Sequence, residues 1–450
     1  MIGILILVVS IVLYITRNRV WSIVIFLSFV AGTGIGGFTI LVDSITGVKN
    51  EDLGFLYVII INLYSFCSER NPLVESHYIR HSILIFLLFM TLSIIYSIVH
   101  YDMTIMEIIQ GSRQIFYFTS YFFLRKLRPS EIKKIIGIIF IITLITSIIY
   151  IYQSITGTEV LPNSEQYHSN NSISFLNRYY NFPPFLVFCI IFTLLCSSRK
   201  EKYYFFSLFV FSIALICTQG RTLVIITAMF AVIGIGIQGR ITQRIWYGLP
   251  IVIAFMLMWN VLSERFEGER STSSELMSLT RGDFVRVVDA NGEGSTMSFR
   301  LAWCLERMHY LSDRPLLENV FGLSLLSDQQ KRVQQMYHFR IGNINSEARG
   351  ITQLSTPDIA YGNMLTKLGY CGSIIFLAIW VSIIRFLYNR RNRDPFILTG
   401  FVYVCLLMFT SFTGRGIFYT GNMAVPFMFV TYSLYHQRKV NLEKQKNGIS

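Results

Sequence analysis

Charged side chains are scarce in this 450-residue chain: Asp, Glu, Lys and Arg together make up 14% of it. Hydrophobic residues make up 53%, and the mean hydropathy is +0.50, far from the average of soluble globular proteins. These proportions exclude a soluble globular protein and indicate a polytopic membrane protein. The formal net charge of +13 does not indicate nucleic-acid binding, because the basic residues cluster in short segments between apolar runs.

Several patterns that would define a site are missing from the sequence. The seven cysteines are scattered, and their spacing fits neither a disulfide framework nor a set of metal ligands. No pair of carboxylates has a spacing that fixes the geometry of a hydrolase. The paired-aspartate motif expected of a metal-using nucleotide-sugar transferase is also lacking in the predicted cytoplasmic connections, so we expect no metal and no cofactor.

Long apolar runs account for most of the chain. The hydrocarbon core of a bilayer, about 30 Å thick, is crossed by roughly 17 to 25 apolar residues in a helix. Such runs predict an all-α, polytopic integral membrane protein with about thirteen transmembrane helices. The predicted spans are 2–16, 21–42, 53–67, 82–100, 106–125, 133–152, 183–198, 203–219, 222–238, 246–262, 363–387, 396–411 and 418–435.

Every second connection between these runs is rich in lysine and arginine. Because basic loops stay in the cytoplasm, this alternation predicts an external N-terminus and a cytoplasmic C-terminus. The basic connections contain Arg17 and Arg19; Arg70 and Arg80; Arg125, Lys126, Arg128, Lys133 and Lys134; Arg199, Lys200 and Lys202; Arg240 and Arg244; Arg390, Arg391 and Arg393; and Arg438, Lys439, Lys444 and Lys446.

The predicted spans divide the chain into three parts. Residues 1–262 carry transmembrane helices 1–10, and residues 358–450 carry helices 11–13 and a basic cytoplasmic tail. Residues 263–357 form one large loop, which the alternation of charge places on the external side. We expect this loop to form a small cap rather than an independent domain.

One amphipathic helix is predicted inside the large loop, over residues 298–311. Leu301, Leu305 and Met308 recur at three- and four-residue spacing, and Ser298 is a candidate N-cap. The helix is expected on or near the membrane surface. Arg300 would then lie in its first turn, where a cation opposes the helix dipole. This mild cost suggests that something other than helix stability placed Arg300 there.

A second arginine interrupts an apolar run, at Arg221. Residues 203–238 would form a helix of about 54 Å, longer than a bilayer core, so the run must break. Gly220 permits a tight reversal, which predicts a helical hairpin of 203–219 and 222–238. Arg221 would lie at its external tip.

Three segments of this chain, in their order and spacing, resemble the superfamily of O-antigen polymerases and O-antigen ligases. They are “TQGRTLVIITAMFAVIG”, “SFRLAWCLERMHYLSDRPLLENVFG” and “DIAYGNMLTKLGYCGSIIFLAIW”. The resemblance covers about Leu161 to the C-terminus and implies a GT-C-like glycosyltransferase. Where the ligases carry histidine followed by asparagine, this chain has Asp358 and Ile359, which favours a polymerase over a ligase.

The resemblance implies a polymerase of surface polysaccharide, such as O-antigen, capsule or exopolysaccharide. It would transfer a glycan from polyprenyl diphosphate to a lipid-linked repeat unit on the external face of the bacterial cytoplasmic membrane. The implied partners are the lipid-linked donor and acceptor, membrane lipids and a chain-length regulator.

Three residues are candidates for catalysis. A diphosphate leaving group gathers negative charge, which guanidinium groups neutralise in a bidentate way. Arg221 and Arg300 suit that role, and Asp358 is the candidate general base in place of the ligase histidine. Asp358 also stands just before a predicted helix, so an N-cap role stays open. Glu347 and Asp283 are alternative bases.

Three further residues are candidates for substrate binding. Arg178, before a predicted helix, could hold a saccharide or a phosphate. Arg415 lies between two glycines in a short external connection, where it could bind phosphate or simply extend to the lipid headgroups. Tyr361 could stack on a sugar ring, although aromatic residues at a membrane interface are common without any ligand.

Two other functions remain open from the sequence. An O-antigen ligase would use the same donor but hand the glycan to lipid A core or to a protein. A flippase for lipid-linked oligosaccharides would place charges in the middle of its helices and open to both faces. The charges of this chain lie at the predicted helix ends, which disfavours transport.

Overall fold

The protein is described by a computed structural model over most of its length. The described residues are 2–31, 50–68, 75–161, 176–179, 182–196, 204–238, 251–253, 256, 296–323, 325–328, 330–342, 344–345, 350–356, 358–414 and 416–446. The predicted span 246–262 is therefore described only at 251–253 and 256. The first part of the large loop, 263–295, lies outside the described residues.

Helices form nearly all regular structure in the described ranges, which confirms the predicted all-α class. The α-helices are α1 (Ile2–Ile15), α2 (Arg19–Val30), α3 (Asn50–Ser68), α4 (His77–Tyr101), α5 (Ile105–Ser112), α6 (Tyr121–Leu124), α7 (Pro129–Thr156), α8 (Leu186–Cys196), α9 (Tyr204–Cys217), α10 (Arg221–Ile237), α11 (Thr296–Ser312), α12 (Leu316–Phe321), α13 (Lys331–Met336), α14 (Ala360–Tyr388), α15 (Pro395–Thr410) and α16 (Thr420–Lys446). Two 3-10 helices cover Ile115–Ser120 and Gly416–Phe418. Strands β1 (Ile344–Asn345) and β2 (Gly350–Ile351) pair antiparallel.

Three of the described helices are long and apolar enough to cross a membrane: α4, α7 and α14. Shorter apolar helices of 10–17 residues stand at most of the other predicted spans. Large apolar side chains face outward along them, with Leu5 63% exposed, Leu88 63% and Ile141 58%. In water such surfaces would be unfavourable, so they indicate contact with lipid tails. The protein is therefore a helical membrane protein.

Local signals in the sequence fix where several of these helices begin. At the start of α7, Pro129 occupies the first turn and Glu131 accepts a hydrogen bond of 2.6 Å from the backbone N–H of Arg128. At the start of α15, Asp394 accepts a hydrogen bond of 2.7 Å from the backbone N–H of Phe396. Each polar group satisfies an N–H that has no partner within the helix.

Basic connections gather at one end of the helix bundle. Arg19 donates a hydrogen bond of 3.0 Å to the carbonyl of Lys126, which joins the connections before α2 and before α7. The Lys133 ammonium lies 5.4 Å from the ring centroid of Tyr432 in α16. The Tyr432 hydroxyl donates to Asp394, directly after the basic connection 390–393, over 2.9 Å. We call this end of the bundle the basic end.

The opposite end carries the described part of the large loop. The N–H of Ala360 donates to the carbonyl of Ser411 over 3.0 Å, so α14 begins where α15 ends. The Thr420 hydroxyl donates to the carbonyl of Val30 over 2.8 Å, so α16 begins where α2 ends. Because these helices have their other ends at the basic connections, the described residues between 296 and 358 lie at the opposite end, the loop end.

The predicted span 106–125 is not one continuous helix. It is divided into α5, the 3-10 helix Ile115–Ser120 and α6. At the break, Arg113 forms ion pairs with Asp52 and, over 3.6 Å, with Glu51 at the start of α3. The Gln114 amide also donates to Glu51 over 3.1 Å. These contacts hold the chain at the end of α5, and the tighter 3-10 turn follows directly.

The end of α12 and the middle of α14 cross closely at the loop end, and each has a glycine at the crossing. Gly322 ends α12 with a φ of +86°, and Gly369 interrupts α14 with a φ of +64° and a ψ of −171°. A Cβ built on Gly369 would lie 2.5 Å from the backbone N of Gly322. The N–H of Leu323 donates to the carbonyl of Thr366 over 2.7 Å beside this crossing. Only glycine fits both positions, because the conformation and the space each exclude a side chain.

Replacing Gly369 by alanine is expected to destabilise the protein by at least about 3 kcal/mol, from backbone strain and overpacking together. Gly137→Ala is the matched control, since a Cβ at Gly137 in α7 has no neighbour within 4 Å among the described residues. Thermal unfolding of the two purified variants in detergent measures the difference. Equal unfolding midpoints for both variants would show that the glycine crossing is not a tight contact.

The predicted amphipathic helix is present as α11. It has one buried face and one exposed apolar face. Its buried face contains Phe299, Trp303, Arg307 and Leu311, which recur every four residues. The predicted residues Leu301, Leu305 and Met308 form the other face and are 38–41% exposed. An exposed apolar face beside the membrane fits a helix lying at the bilayer surface.

The start of α11 differs from the sequence prediction. The helix begins at Thr296, so Ser298 lies within its first turn and is not the N-cap. Arg300 is consequently the fifth residue of α11, beyond the first turn. The expected conflict between Arg300 and the helix dipole is therefore weaker than predicted, because that field falls off within one turn.

Candidate active site

The structure brings together two of the predicted catalytic residues, Arg300 and Asp358. The guanidinium Nη2 of Arg300 lies 3.7 Å from Oδ1 of Asp358. The Arg300 side chain is 16% exposed and the Asp358 side chain 36%. Their separation exceeds a hydrogen bond, so this contact is an ion pair that holds the two charges side by side without a short bond. Partial burial strengthens the interaction relative to one in open water.

Asp358 is held by the first turn of α14. The Asn363 amide binds both backbone groups of Thr356, accepting from its N–H over 2.7 Å and donating to its carbonyl over 2.6 Å. The Thr356 hydroxyl in turn lies 3.3 Å from the backbone N–H of Asp358 and 3.4 Å from its Oδ2. This ring of contacts fixes the direction in which the carboxylate leaves the backbone.

The N-cap alternative for Asp358 is wrong. The cap position of α14 is Ile359, and no side chain caps the helix there. The first N–H of α14, on Ala360, instead donates to the carbonyls of Ser411 and Gly414, over 3.0 and 2.9 Å. Backbone carbonyls at the end of α15 and just after it thus cap α14. The Asp358 carboxylate is turned toward Arg300.

An apolar wall lies beside the ion pair. Phe299 and Trp303 of α11 pack with Ile359, and Cys304, Ile341 and Tyr361 border this cluster. A Cβ on Gly362 would lie 2.5 Å from the Trp303 ring, so the first turn of α14 fits flat against the indole. The two residues that flank the ion pair in sequence, Phe299 and Ile359, are thereby buried together. The wall keeps the positions of Arg300 and Asp358 mutually fixed.

Tyr361 is half-buried at the edge of this wall. Its hydroxyl donates a hydrogen bond of 2.8 Å to the carbonyl of Met408, near the end of α15. Its ring packs against Phe412, with ring centroids 4.6 Å apart. These contacts tie α14 to α15 next to Asp358, which is a positioning role in addition to the predicted contact with a sugar.

Among the described cations of the loop end, the most deeply buried is Arg307, which was not predicted as a functional residue. It is 0% exposed and lies between two aromatic rings, 4.2 Å from the Trp303 ring centroid and 4.3 Å from that of Phe339. It donates hydrogen bonds to the Gln353 carbonyl over 3.2 Å and to Glu306 over 2.7 Å. Burial lowers the pKa of Arg307 to about 10, so it stays charged at neutral pH.

Carboxylates complete the cluster around Arg307. Both oxygens of Glu306 accept backbone hydrogen bonds, from Arg340 over 2.8 Å and from Ile341 over 3.2 Å. Asp328 accepts from the N–H of Gln353 over 2.7 Å and from the Ser355 hydroxyl. The cluster therefore fastens three irregular segments of the large loop to α11. One feature of the sequence indicates that Arg307 is buried. It stands four residues from Trp303 and four from Leu311, on the buried face of α11.

Arg221 and Arg178 belong to a second group of contacts. Arg221 is half-buried at the first position of α10, and Arg178 is half-buried in the segment 176–179. The Gln219 amide donates to the carbonyl of Leu176 over 3.2 Å, which joins the turn before Arg221 to the segment that carries Arg178. The structure therefore brings the segments of these two arginines together.

The turn before Arg221 differs in detail from the prediction. The residue in the left-handed region is Gln219, with a φ of +53°, whereas Gly220 has a φ of −86°. The hydrogen bond from Gln219 to Leu176 holds this strained conformation in place. The hairpin itself is present, since α9 ends at Cys217 and α10 begins at Arg221.

Arg221 lies toward the same end of the bundle as the Arg300–Asp358 pair. The rings of Phe230 and Phe409 are 5.1 Å apart, and a Cβ on Gly234 would lie 3.3 Å from Val402. The contacts run in opposite order along the two helices, so α10 and α15 are antiparallel. The first residue of α10, Arg221, therefore lies toward the end where α15 finishes, at the loop end.

Three further residues were predicted as candidates for catalysis or binding. Arg415, Glu347 and Asp283 lie outside the described residues. The neighbouring Gly414 accepts the hydrogen bond from Ala360, two residues after Asp358.

Comparisons with known proteins add no family to this description. No protein-family model matches the chain, and no curated protein matches it significantly.

Proposed function

We propose that the protein is a polymerase of surface polysaccharide, such as O-antigen, capsule or exopolysaccharide. It transfers a glycan from polyprenyl diphosphate to a lipid-linked repeat unit on the external face of the bacterial cytoplasmic membrane. The proposal includes about thirteen membrane-spanning helices and a GT-C-like active site. The observation that carries it is the ion pair of Arg300 and Asp358, since it joins a ligand for diphosphate and a base from two separate motifs.

The orientation of the protein follows from its charge. The basic end contains the lysine- and arginine-rich connections, which remain in the cytoplasm during insertion. The loop end, with Arg300 and Asp358, then faces outward. Because α1 begins at the loop end and α16 runs toward the basic end, the N-terminus is external and the C-terminus cytoplasmic.

In the proposed displacement, Asp358 acts on the attacking hydroxyl and Arg300 acts on the leaving diphosphate. Asp358 takes the proton of the acceptor hydroxyl while that oxygen bonds to the anomeric carbon of the donor glycan. The bond between the anomeric carbon and the diphosphate oxygen breaks, and its electron pair leaves with the diphosphate. Arg300 neutralises the charge that gathers there. The energy of transfer comes from the broken diphosphate ester bond, without a metal.

Arg221 and Arg178 supply a further site for the lipid carrier. Arg221 and Arg178 are half-buried at the loop end, and helix ends at this depth lie near the phosphate level of a bilayer. A polyprenyl diphosphate or the growing lipid-linked chain has its charge at the same level. We assign Arg221 to the diphosphate and Arg178 to the saccharide or phosphate beside it.

Replacing Arg221 by alanine is expected to abolish long chains while the protein still accumulates in the membrane. The side chain stands at a helix N-terminus, where a cation opposes the helix dipole, so removing its charge favours the dipole of α10. Gel electrophoresis of the surface polysaccharide and an immunoblot of the membranes measure the two quantities. Normal chain length in Arg221→Ala would remove this arginine from the proposal.

The proposed function is tested in a cell that lacks the protein. A missing polymerase leaves a single repeat unit attached to the final acceptor, whereas a missing ligase leaves no repeat unit there. A missing flippase also prevents any repeat unit from reaching the outer face. We expect the single-unit pattern on the gel, restored to long chains by the wild-type protein, and either other pattern would contradict the polymerase assignment.

The ligase remains the nearest alternative. It shares the donor and the outer-face location, and it differs in the acceptor. The residue pair Asp358 and Ile359 stands where the ligases carry histidine and asparagine, and the Asp358 carboxylate lies against Arg300. A carboxylate can serve as the base in either enzyme, so the gel pattern decides between them.

A further inference from the structure

A cavity of about 590 Å³ opens on the side of the bundle between α3, α4 and the segment of the 3-10 helix Ile115–Ser120 and α6. Its volume lies within the range of roughly 300–1,000 Å³ typical of ligand sites. Its outer wall is apolar and faces the lipid, with Ile59 39% exposed, Leu63 60% and Leu84 41%. A hydrocarbon chain can therefore enter it directly from the membrane.

One end of this cavity is strongly basic. Within the described part of the chain, Arg80, Arg125 and Lys126 line it together with one carboxylate, Glu75. Glu75 holds both guanidinium groups, accepting from Arg80 over 3.1 Å with one oxygen and from Arg125 with the other. The Lys126 ammonium is fixed by a hydrogen bond of 2.6 Å to the carbonyl of Ser65. Among the described lining residues, three cations therefore stand with one carboxylate at this end.

Two buried polar groups in the wall also lack partners among the described residues. Oδ1 of Asn62 and Nε of Arg125 are buried and make no hydrogen bond there. Asn62 is 9% exposed and the Arg125 side chain 10%. A buried donor and a buried acceptor without partners are unfavourable, and a bound polar headgroup would satisfy them.

We propose that this cavity binds an anionic phospholipid of the inner leaflet. One acyl chain lies along the apolar wall, and the phosphate lies against Arg80, Arg125 and Lys126 at the basic end of the bundle. Basic pockets between helices on the cytoplasmic side are suited to anionic headgroups. Charge complementarity selects an anionic lipid over a zwitterionic one. The site is independent of the polymerase reaction, because it lies toward the end opposite Arg300.

The test measures how much lipid the purified protein retains. Wild-type protein in detergent is incubated with radiolabelled phosphatidylglycerol or phosphatidylcholine and passed through a sizing column. We expect retention of phosphatidylglycerol only. Replacing Arg80 and Lys126 by alanine together is expected to weaken retention about 30-fold, since each cation near the surface contributes about 1 kcal/mol, or about fivefold.

Two matched variants make this result specific. Arg393→Ala with Lys439→Ala removes two cations from the same end but outside the cavity, and should retain the lipid like the wild type. Leu84→Trp keeps every charge and obstructs the apolar wall along which the acyl chain lies, and should weaken lipid retention. Retention unchanged in the Arg80 and Lys126 variant, or equal retention of phosphatidylcholine, would overturn the proposal. So would recovery of a polyprenyl phosphate from the site that phosphatidylglycerol does not displace.

Discussion

Arg300→Ala protein is expected to lose glycan transfer by about 100- to 1,000-fold while folding normally. This is the usual effect of removing one group that stabilises developing charge in a transition state. Arg300→Lys should recover only part of the activity, because an ammonium cannot bind the diphosphate in a bidentate way. Chain length on a gel and initial rates with a lipid-linked donor both measure the effect.

Asp358→Asn is the companion variant, since it keeps the shape of the side chain and removes its basicity. We expect a loss of about 100- to 10,000-fold, the range for a general base. Arg340→Ala is the control, because Arg340 belongs to the same loop and its side chain is exposed. If Arg300→Ala and Asp358→Asn transfer glycan as fast as Arg340→Ala, the ion pair has no part in the reaction.

Arg307→Met is expected to destabilise the large loop by about 3–5 kcal/mol. The substitution leaves the half-buried Glu306 and the buried carbonyl of Gln353 without the cation that binds them, and such losses have this magnitude. It also removes the contact with the rings of Trp303 and Phe339. Because α11 carries Arg300, the loss of activity should follow the loss of structure.

Limited proteolysis of the protein in vesicles measures this destabilisation, since cleavage follows the population of the opened loop. Arg314→Met is the matched control. Arg314 also lies over an aromatic ring, 4.3 Å from the centroid of Tyr310, but its side chain is 41% exposed. Such an exposed contact contributes about 0.5–1 kcal/mol. Equal protease resistance in both variants would show that Arg307 does not hold the loop together.

Much of the membrane architecture is predictable from the sequence because it depends on local patterns. Apolar runs predict α4, α7 and α14, and α11 follows from the spacing of Leu301, Leu305 and Met308. The break in the span 106–125 is not predictable in this way. It depends on Arg113 reaching Glu51 and Asp52, more than 60 residues earlier in the chain.

In the candidate site, too, the sequence indicates the residues but does not predict the contacts between distant parts of the chain. The residue types of Arg300 and Asp358 suggest their roles, but their contact depends on the path of the polypeptide between them. Gly322 and Gly369 stand out in the motifs, whereas the close crossing that requires them appears only in three dimensions. Arg307 was missed because a cation on an amphipathic helix is usually solvated.

The most direct test of the account is reconstitution of the purified protein in vesicles with a polyprenyl-diphosphate-linked repeat unit. The account predicts products of two, three and more repeat units and release of polyprenyl diphosphate, with no added metal. Arg300→Ala and Asp358→Asn vesicles should leave the single unit unchanged. A correctly folded wild-type protein that yields no linked repeat units from the repeat unit of its own organism would contradict the central claim.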